Sequence, residues 1–384
     1  MKPTVALIAH DIHDNGGMER ACAELVRHTH DEFDFTIVSA ELTPELRSLV
    51  HRWIRVRVPT RPAPLRFAMF WLLAGRKLRS LDVDIAHSVG AIVPNRVDVA
   101  AVHFCHAGFV RAQGYLAPRS APLIRRMNTA VARLLALAAE RWCYAPGRLR
   151  AFAAVSDGVR EELAAHYPGV KVRVIPNGVD LDRFRPDASA RAELRSAVGL
   201  TDEPVAIFVG GDWDRKGLAI GIQALAEVRG QGIALQLWIV GRGDHDRFVA
   251  LANKWGVASA VAFFGERYDV EHFLAAADML ILPSLYETFS LVGFEAAATG
   301  LPIVVTRVHG IGDLVRDEGG GVLVERTTAS VANALATVAR DPNLRRCLGQ
   351  QALLGSQKYS WTASTGSVAN LYRSLLLDEK HDPR

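Results

Sequence analysis

The chain has 384 residues, 49 % of them hydrophobic and 22 % charged, with a formal net charge of +4. That length exceeds one ordinary core and argues for two domains, and the balance is that of a soluble globular protein, not a disordered or fibrous one. No apolar run of eighteen or more residues occurs, which argues against a membrane helix, and the four cysteines are scattered with no C-x-x-C pair, as in a reduced cytoplasmic setting.

The net charge hides an asymmetry. Residues 1–178 hold 24 Lys and Arg against 16 Asp and Glu, and the remainder holds 21 against 25. Nine of the thirteen histidines also fall in the first part. A basic half beside an acidic one points to an anionic partner for the basic half: nucleic acid, an anionic membrane surface or a phosphorylated glycan. No aromatic-interleaved basic strand or zinc-finger spacing favours nucleic acid.

From the N-terminus, M-K-P-T-V-A-L-I-A goes straight into a strand pattern and has no signal-peptide shape. Short apolar runs then alternate with amphipathic stretches, the mark of βαβ units and parallel sheets. Strands are predicted over 4–9, 35–40, near Val56 and Ile85, over 97–103, and ending at Ser156 and Ile175. Helices are predicted over 18–30, 65–81 and 123–144. Residues 176–189, P-N-G-V-D-L-D-R-F-R-P-D-A-S, lack helical periodicity and are rich in Pro, Gly, Asn and Asp, as expected of a linker.

The alternation restarts after it. Strands ending at Gly210, Gly241 and Gly265 are each followed by a helix, over 218–228, 246–255 and 270–277. Two apolar runs, M-L-I-L-P and P-I-V-V-T, flank the stretch 283–302; a short strand ends at Glu325, and three helices close the chain over 329–340, 344–358 and 361–377. The expected architecture is α/β, with two doubly wound domains that bind ligands at the C-terminal ends of their sheets, and a cleft between them as the natural site.

Three stretches carry chemistry. In 10–20, H-D-I-H-D-N-G-G-M-E-R, Gly16 and Gly17 bring backbone N–H groups close to a helix start, which suits a phosphate; the plainer reading is a flexible turn. It is neither a G-x-G-x-x-G nor a Walker pattern. In 208–217, F-V-G-G-D-W-D-R-K-G, a glycine-rich turn after a strand carries Arg215 and Lys216, a cradle for a pyrophosphate or else a solvated charged loop. Asp212 and Asp214 form a D-x-D, but such pairs recur elsewhere in the chain and are read as loop and capping chemistry. In 97–109, His103 ends an apolar run and His106 follows; either is placed to donate a hydrogen bond or carry a proton, or to pack as a loop histidine. Zinc with Cys105 lacks a second ligand cluster. No G-x-S-x-G and no H-E-x-x-H occurs.

The stretch 283–302, P-S-L-Y-E-T-F-S-L-V-G-F-E-A-A-A-T-G-L-P, holds Glu287 and Glu295 with seven residues between them. It is predicted as strand, polar turn, helix, strand, with Glu287 at the mouth of the turn and Glu295 about two turns into the helix. Two acids so placed could grip the ends of an extended polar ligand, with free amides between them for a phosphate; the plainer reading makes both surface acids.

Taken in order, G-G-M-E-R, A-V-H, A-V-S-D-G-V, V-I-P-N-G-V-D, F-V-G-G-D-W-D-R-K-G and the spaced glutamates resemble the family-4 retaining glycosyltransferases of the GT-B fold, over nearly the whole chain. The D-x-x-R-K-G turn resembles the lipopolysaccharide-core sugar transferases among them. The resemblance implies two Rossmann-like domains facing each other across a cleft: residues 1–178 for the acceptor, 179–360 for the nucleotide sugar, and a helix over 361–384 crossing back to the first domain. It implies a metal-independent hexosyl transfer from a UDP- or GDP-linked sugar, with no further cofactor, to a glycan, glycolipid or polysaccharide of the cell envelope. Glu287 would hold donor-sugar hydroxyls, and Thr288, Phe289, Ser290 and Leu291 would line the donor, the last three with backbone N–H groups. Glu295 would hold the ribose, and Lys216 would neutralise the diphosphate. Gly16 and Gly17 would close over the phosphate and acceptor side, and His103 would hydrogen-bond near the transferring sugar. One departure is Gly211, where many relatives carry arginine; Arg215 is the candidate replacement. A nucleotide-sugar epimerase of the same fold and a non-catalytic glycan- or membrane-binding protein are the alternatives. Acceptor recognition is expected in first-domain loops such as 107–122. The basic, apolar segment 119–142 suggests a peripheral contact at the inner face of an anionic membrane, or else an ordinary packed helix with solvated arginines.

Overall fold

A computed structural model describes residues 2–112 and 122–381 of the chain. Two compact units are present, residues 1–178 with 361–384, and residues 179–360. In unit 1 the strands of the main sheet are β1 (Thr4–Ile8), β2 (Asp34–Ser39), β3 (Arg52–Arg55), β4 (Ile85–Val89), β5 (Val97–Val102), β6 (Leu149–Ala154) and β7 (Lys171–Val174). They form one sheet in the order β3-β2-β1-β4-β5-β6-β7. Its pairings are all parallel. Helices α1 (Gly17–Thr29), α2 (Ala63–Leu78), α3 (His106–Arg111), α4 (Leu123–Cys143) and α5 (Asp157–His166) connect them. Val5, Ala6, Leu7 and Ile8 are all fully buried. A continuous apolar run of this kind belongs to a central parallel strand covered on both faces.

Unit 2 repeats the plan. Its elements are α6 (Ala188–Ala197), β8 (Val205–Val209), α7 (Trp213–Lys216), α8 (Leu218–Gly230), β9 (Gln236–Val240), α9 (His245–Lys254), β10 (Val261–Gly265), α10 (Val270–Ala276), β11 (Met279–Leu282), α11 (Leu291–Ala298), β12 (Ile303–Thr306), α12 (Ile311–Glu318), β13 (Gly321–Val324), α13 (Thr328–Arg340) and α14 (Pro342–Ser356). The parallel sheet runs β10-β9-β8-β11-β12-β13. The final helix, α15 (Trp361–His381), belongs to unit 1 and packs on α1. Its Ala369, Leu371, Tyr372 and Leu375 are buried in the same apolar cluster as Val5, Leu7 and Phe33.

Strand order reverses between β1 and β4 in unit 1 and between β8 and β11 in unit 2. In open parallel sheets the crevice beyond the carboxyl ends of such strand pairs is where ligands bind. These two places hold the residues of interest.

Some elements depart from the sequence pattern. The third strand of unit 1 lies at Arg52–Arg55, just ahead of Val56. The turn at 208–217 contains a single helical turn, α7, which carries both cations. The stretch 176–189 is not an open linker: Asn177, Val179 and Phe184 are buried, and the Val179 amide donates to Tyr359 O at 2.7 Å. Within 119–142, residues 119–121 lie outside the described set, and the helix starts at Leu123. Of 107–122, residues 113–121 are likewise outside it. No helix among the described residues is long and apolar enough to cross a membrane.

Candidate active site

The carboxyl ends of β8 and β11 deliver Arg215, Lys216 and Glu287 to one point. Chain leaving β8 passes Gly210 and folds into α7; chain leaving β11 forms the loop 283–290 ahead of α11. Three donors converge on one oxygen. Glu287 Oε1 accepts from Lys216 Nζ at 3.0 Å, from Ser284 Oγ at 2.9 Å and from Arg215 Nη1 at 3.1 Å. Glu287 Oε2 has no hydrogen-bond donor among the described residues, so it is available to accept from a ligand hydroxyl.

Glu287 is 7 % exposed, which removes the surface-acid reading. Burial by itself pushes its carboxyl upward, but Lys216 and Arg215 overcome that and hold it below its ordinary value. Arg215 is likewise opposed by burial and held in its charged form by Glu287 and Asp212. With Asp212 also on Arg215, two cations meet two carboxylates, and the buried Glu287 is a compensated charge.

The loop carrying Glu287 is braced on both sides. The Leu285 amide donates to Arg215 O at 2.8 Å, and Arg215 Nη1 donates to Tyr286 O. Opposite, Thr306 Oγ1 donates to Ser284 O at 2.6 Å and the Ile311 amide to Phe289 O at 3.0 Å. Gly310, at φ +75°, lies so close to Phe289 that a Cβ would sit 2.5 Å from its Cα. Phe289 stacks on Phe294 of α11 with centroids 4.1 Å apart, anchoring the loop to its own helix.

Among the described residues, the non-glycine residues with positive φ are Asp212 (50°) and Ser290 (71°), which flank this cluster. Such conformations cost about 1–3 kcal/mol each and concentrate where a site dictates the backbone. Ser290 caps α11 without a side-chain cap bond, and its buried Oγ has no partner. The amides of Ser290, Leu291 and Val292 find no acceptor among the described residues. A helix start with open amides and an open buried hydroxyl receives an anion. Thr288 is half-buried beside it.

α11 starts at Leu291, so Glu295 is its fifth residue and lies little more than one turn into the helix, not two. It is half-buried and acts electrostatically on Arg183, which donates to Glu271 Oε2 at 2.7 Å. Asp212 accepts from Arg215 Nε at 2.8 Å, and Asp214 pairs with Arg247 at 2.7 Å. The D-x-D carboxylates are thus held by arginines. No cluster of three metal-ligating side chains occurs among the described residues.

A Cβ at Gly211 would meet nothing closer than Arg242 O at 3.6 Å, an ordinary contact. Space therefore does not exclude an arginine there. The guanidinium beside Glu287 comes from Arg215, whose Nη1 lies 3.1 Å from Glu287 Oε1.

Unit 1 offers a cavity of about 1100 Å³ where β1, β4 and β5 end, walled by α2 and α4. His103 lines it and is half-buried, with Nε2 bonded to Asn177 Oδ1 at 3.1 Å. Burial pushes the His103 imidazole down to about 4, so it is neutral at pH 7. Gly16, at φ +88°, and Gly17 open α1 beside Met18 and Glu19, which line the cavity. His106 hydrogen-bonds Glu140 at 2.9 Å.

Four residues of this cavity went unread in the sequence. Glu140, 2 % exposed, also accepts from the His106 amide at 2.8 Å, the Ala107 amide at 3.3 Å and Tyr167 OH at 2.8 Å. His10 is driven down to about 4, chiefly by burial, and stacks on Phe70 at 4.3 Å; its neighbour Asp11 pairs with Arg66. The usable signal was the histidine directly after a strand, at His10 as at His103.

Comparison with known proteins places this geometry. Residues 15–183 match the family model described as Glycosyltransferase Family 4, and residues 203–341 the model described as Glycosyl transferases group 1. A D-inositol 3-phosphate glycosyltransferase of Nocardia farcinica (strain IFM 10152) is 33 % identical over 219 residues, covering 54 % of this chain and 48 % of the relative. The chain thus spans about half the length of such relatives. The crystal structure of WaaG, a glycosyltransferase involved in lipopolysaccharide biosynthesis, superposes with a TM-score of 0.80 at 22 % identity, over 96 % of this chain and 99 % of that one. Anabaena Alr3699/HepE in complex with UDP and glucose superposes with a TM-score of 0.71 at 18 % identity, over 97 % of this chain and all of the other. Residues 15–183 are thus a glycosyltransferase family-4 domain and residues 203–341 a glycosyl transferases group 1 domain, and the chain as a whole shares the GT-B fold.

Proposed function

We propose that the protein is a retaining, metal-independent glycosyltransferase that moves a hexosyl group from a UDP- or GDP-linked sugar to a glycan or lipid-linked acceptor in envelope or polysaccharide synthesis. The observation that carries this reading is the pairing of Glu287 with Arg215 and Lys216 beside the open amides and hydroxyl of Ser290. One side of that cluster suits sugar hydroxyls, and the other suits a diphosphate. The UDP and glucose bound by the Anabaena HepE protein support the donor class.

Breaking the glycosidic C–O bond leaves oxocarbenium character on the sugar and growing negative charge on the diphosphate. Lys216, Arg215 and the start of α11 are fixed in place to stabilise that charge, supplying what a divalent ion supplies elsewhere. Glu287 Oε2 accepts from a donor-sugar hydroxyl, and Glu295 from the ribose. No protein nucleophile is assigned. The leaving phosphate oxygen takes the acceptor proton as the acceptor attacks on the same face. His103, held neutral and oriented by Asn177, hydrogen-bonds near the transferring sugar, and Gly16 and Gly17 cover the phosphate side.

No cofactor beyond the donor is required in this reading. The protein works in the cytoplasm at the inner face of a membrane, which the basic, apolar α4 supports. The test is release of nucleoside diphosphate from a panel of nucleotide sugars, with the anomeric configuration of the product read by NMR. Inversion would overturn the retaining assignment, and a rate abolished by EDTA would overturn metal independence. Product in which the nucleotide remains attached would mean epimerisation instead.

A further inference from the structure

Two segments of unit 2 build the Glu287 cluster: α7, which carries Arg215 and Lys216, and the loop 283–290, which carries Glu287. A third segment touches both. The turn after β13 carries Arg326, whose Nε donates to Pro283 O at 3.1 Å and whose Nη2 donates to Asp214 O at 3.2 Å. One guanidinium thereby joins two segments that lie 43 and 112 residues earlier in the chain.

The two carbonyls sit at sensitive places. Pro283 opens the glutamate loop directly after β11, and Asp214 precedes Arg215 in α7. Gly217, at φ +82°, presses on the same loop: a Cβ there would stand 2.3 Å from Pro283 O. A guanidinium presents its donors in a fixed planar fork, so two bonds from one group set the separation of their acceptors. An ammonium on a flexible stem does not.

The base of the fork is itself held. The Glu325 amide donates to Ser330 Oγ at 3.0 Å, and the Ser330 amide to Thr327 Oγ1 at 3.3 Å. Thr328 Oγ1 donates to Gln223 Oε1 of α8 at 2.9 Å, and α13 packs against α8 in the core of unit 2. Arg326 has no carboxylate partner among the described residues; the adjacent Glu325 lies 3.8 Å from Arg307 instead. With no ion pair to form, Arg326 acts through what its two bonds hold.

We propose that Arg326 is a positioning residue of the donor site: it fixes α7 to the glutamate loop, so that Arg215 and Lys216 stand against Glu287 before a donor arrives. The effect on the donor rests on the glycosyl-transfer reading; the brace itself does not. Misplaced cations matter most where negative charge has grown on the diphosphate, in the transition state and in the released nucleotide.

The test compares the full-length parent with Arg326→Ala and Arg326→Lys. Hydrogen exchange without ligand should speed up in 213–217 and 283–290 of both variants, with the rest of unit 2 and the thermal midpoint matching the parent. Calorimetric titration with UDP and GDP should show about tenfold weaker binding of whichever nucleotide the parent takes, the worth of one hydrogen bond from a charged group. With a donor that turns over, the loss should fall on kcat and leave KM within about twofold. Arg326→Lys keeps the charge and loses the fork, so it should resemble Arg326→Ala. Parent-like exchange and affinity in Arg326→Ala overturn the proposal. So does full rescue by lysine, which would make the role one of charge alone. Faster exchange throughout unit 2 with a lowered midpoint also overturns it, since Arg326 would then hold the fold and not the site. A parent that binds neither nucleotide removes the donor reading, and the exchange result then decides the brace by itself.

Discussion

Both units place polar groups where strand order reverses, and burial acts on them with opposite results. In unit 1 burial wins: His10 and His103 are pushed down to about 4 and His87 to about 3. These imidazoles are neutral at pH 7 and border or lie beneath a roomy cavity. In unit 2 charge wins: Glu287 is as deeply buried, yet two cations hold it ionised. The difference is compensation. A buried group keeps its charge only where a fixed opposite charge touches it. Unit 2 therefore presents fixed charges, and unit 1 an open space bordered by neutral imidazoles.

The sharpest way to break this contrast is to remove the preset charges. Lys216→Ala or Glu287→Ala should lower nucleoside-diphosphate release by about 100-fold or more, the scale of losing a preorganised electrostatic contact. Full activity in both variants would reduce the cluster to a structural ion pair. In unit 1 the corresponding blow is structural: Glu140→Ala strands His106, two amides and Tyr167. It should lower the unfolding free energy by about 3 kcal/mol, read by denaturant titration.

Acid should separate the units. For His10, His87 and His103 the ordinary value is 6.5 and the folded value lies lower. Below pH 6.5 the unfolded state therefore binds more protons, and stability falls until the folded value near 4 is passed. Glu287 is depressed from 4.5, so its contribution is intact above that value and is lost only as pH falls below it. Hydrogen exchange at about pH 5.5 should then show peptides of unit 1 loosening relative to neutral pH while the loop 283–290 stays protected. A smaller effect concerns Arg215. Arg215→Ala should cost about tenfold in donor turnover, the worth of one charge-assisted hydrogen bond. Gly211→Arg in that background should recover part of the loss. No recovery would mean that Arg215 is not a stand-in for the arginine found in relatives.

The strands were legible because a parallel core writes itself as runs such as V-A-L-I and M-L-I-L. The site was legible only in pieces. Arg215, Lys216 and Glu287 stand 71 and 72 residues apart in their pairings, and nothing local joins them; the family resemblance did. Glu295 was placed a turn too deep in a helix whose start, Leu291, the sequence pattern does show, and no serine announces the left-handed conformation of Ser290 just before it. Glu140 looks like a solvated acid near the end of a basic helix, yet it is buried and accepts from Tyr167, 27 residues on. Asn177 sits in a Pro-Gly-Asn-Asp stretch of linker composition, and its partner His103 lies 74 residues away.

The last helix has a consequence for the order of synthesis. Tyr372 is fully buried in unit 1, bonded to His87 Nδ1 at 2.5 Å and edge-on to Phe33 at 5.3 Å. Residues 179–360 are continuous and can complete their core as soon as they leave the ribosome, whereas the older N-terminal segment waits for a piece made after them. Translation and folding therefore run in opposite order: the first part made is the last to finish. During that interval the nascent chain leaves Phe33 and His87 without the cover that Tyr372 gives them.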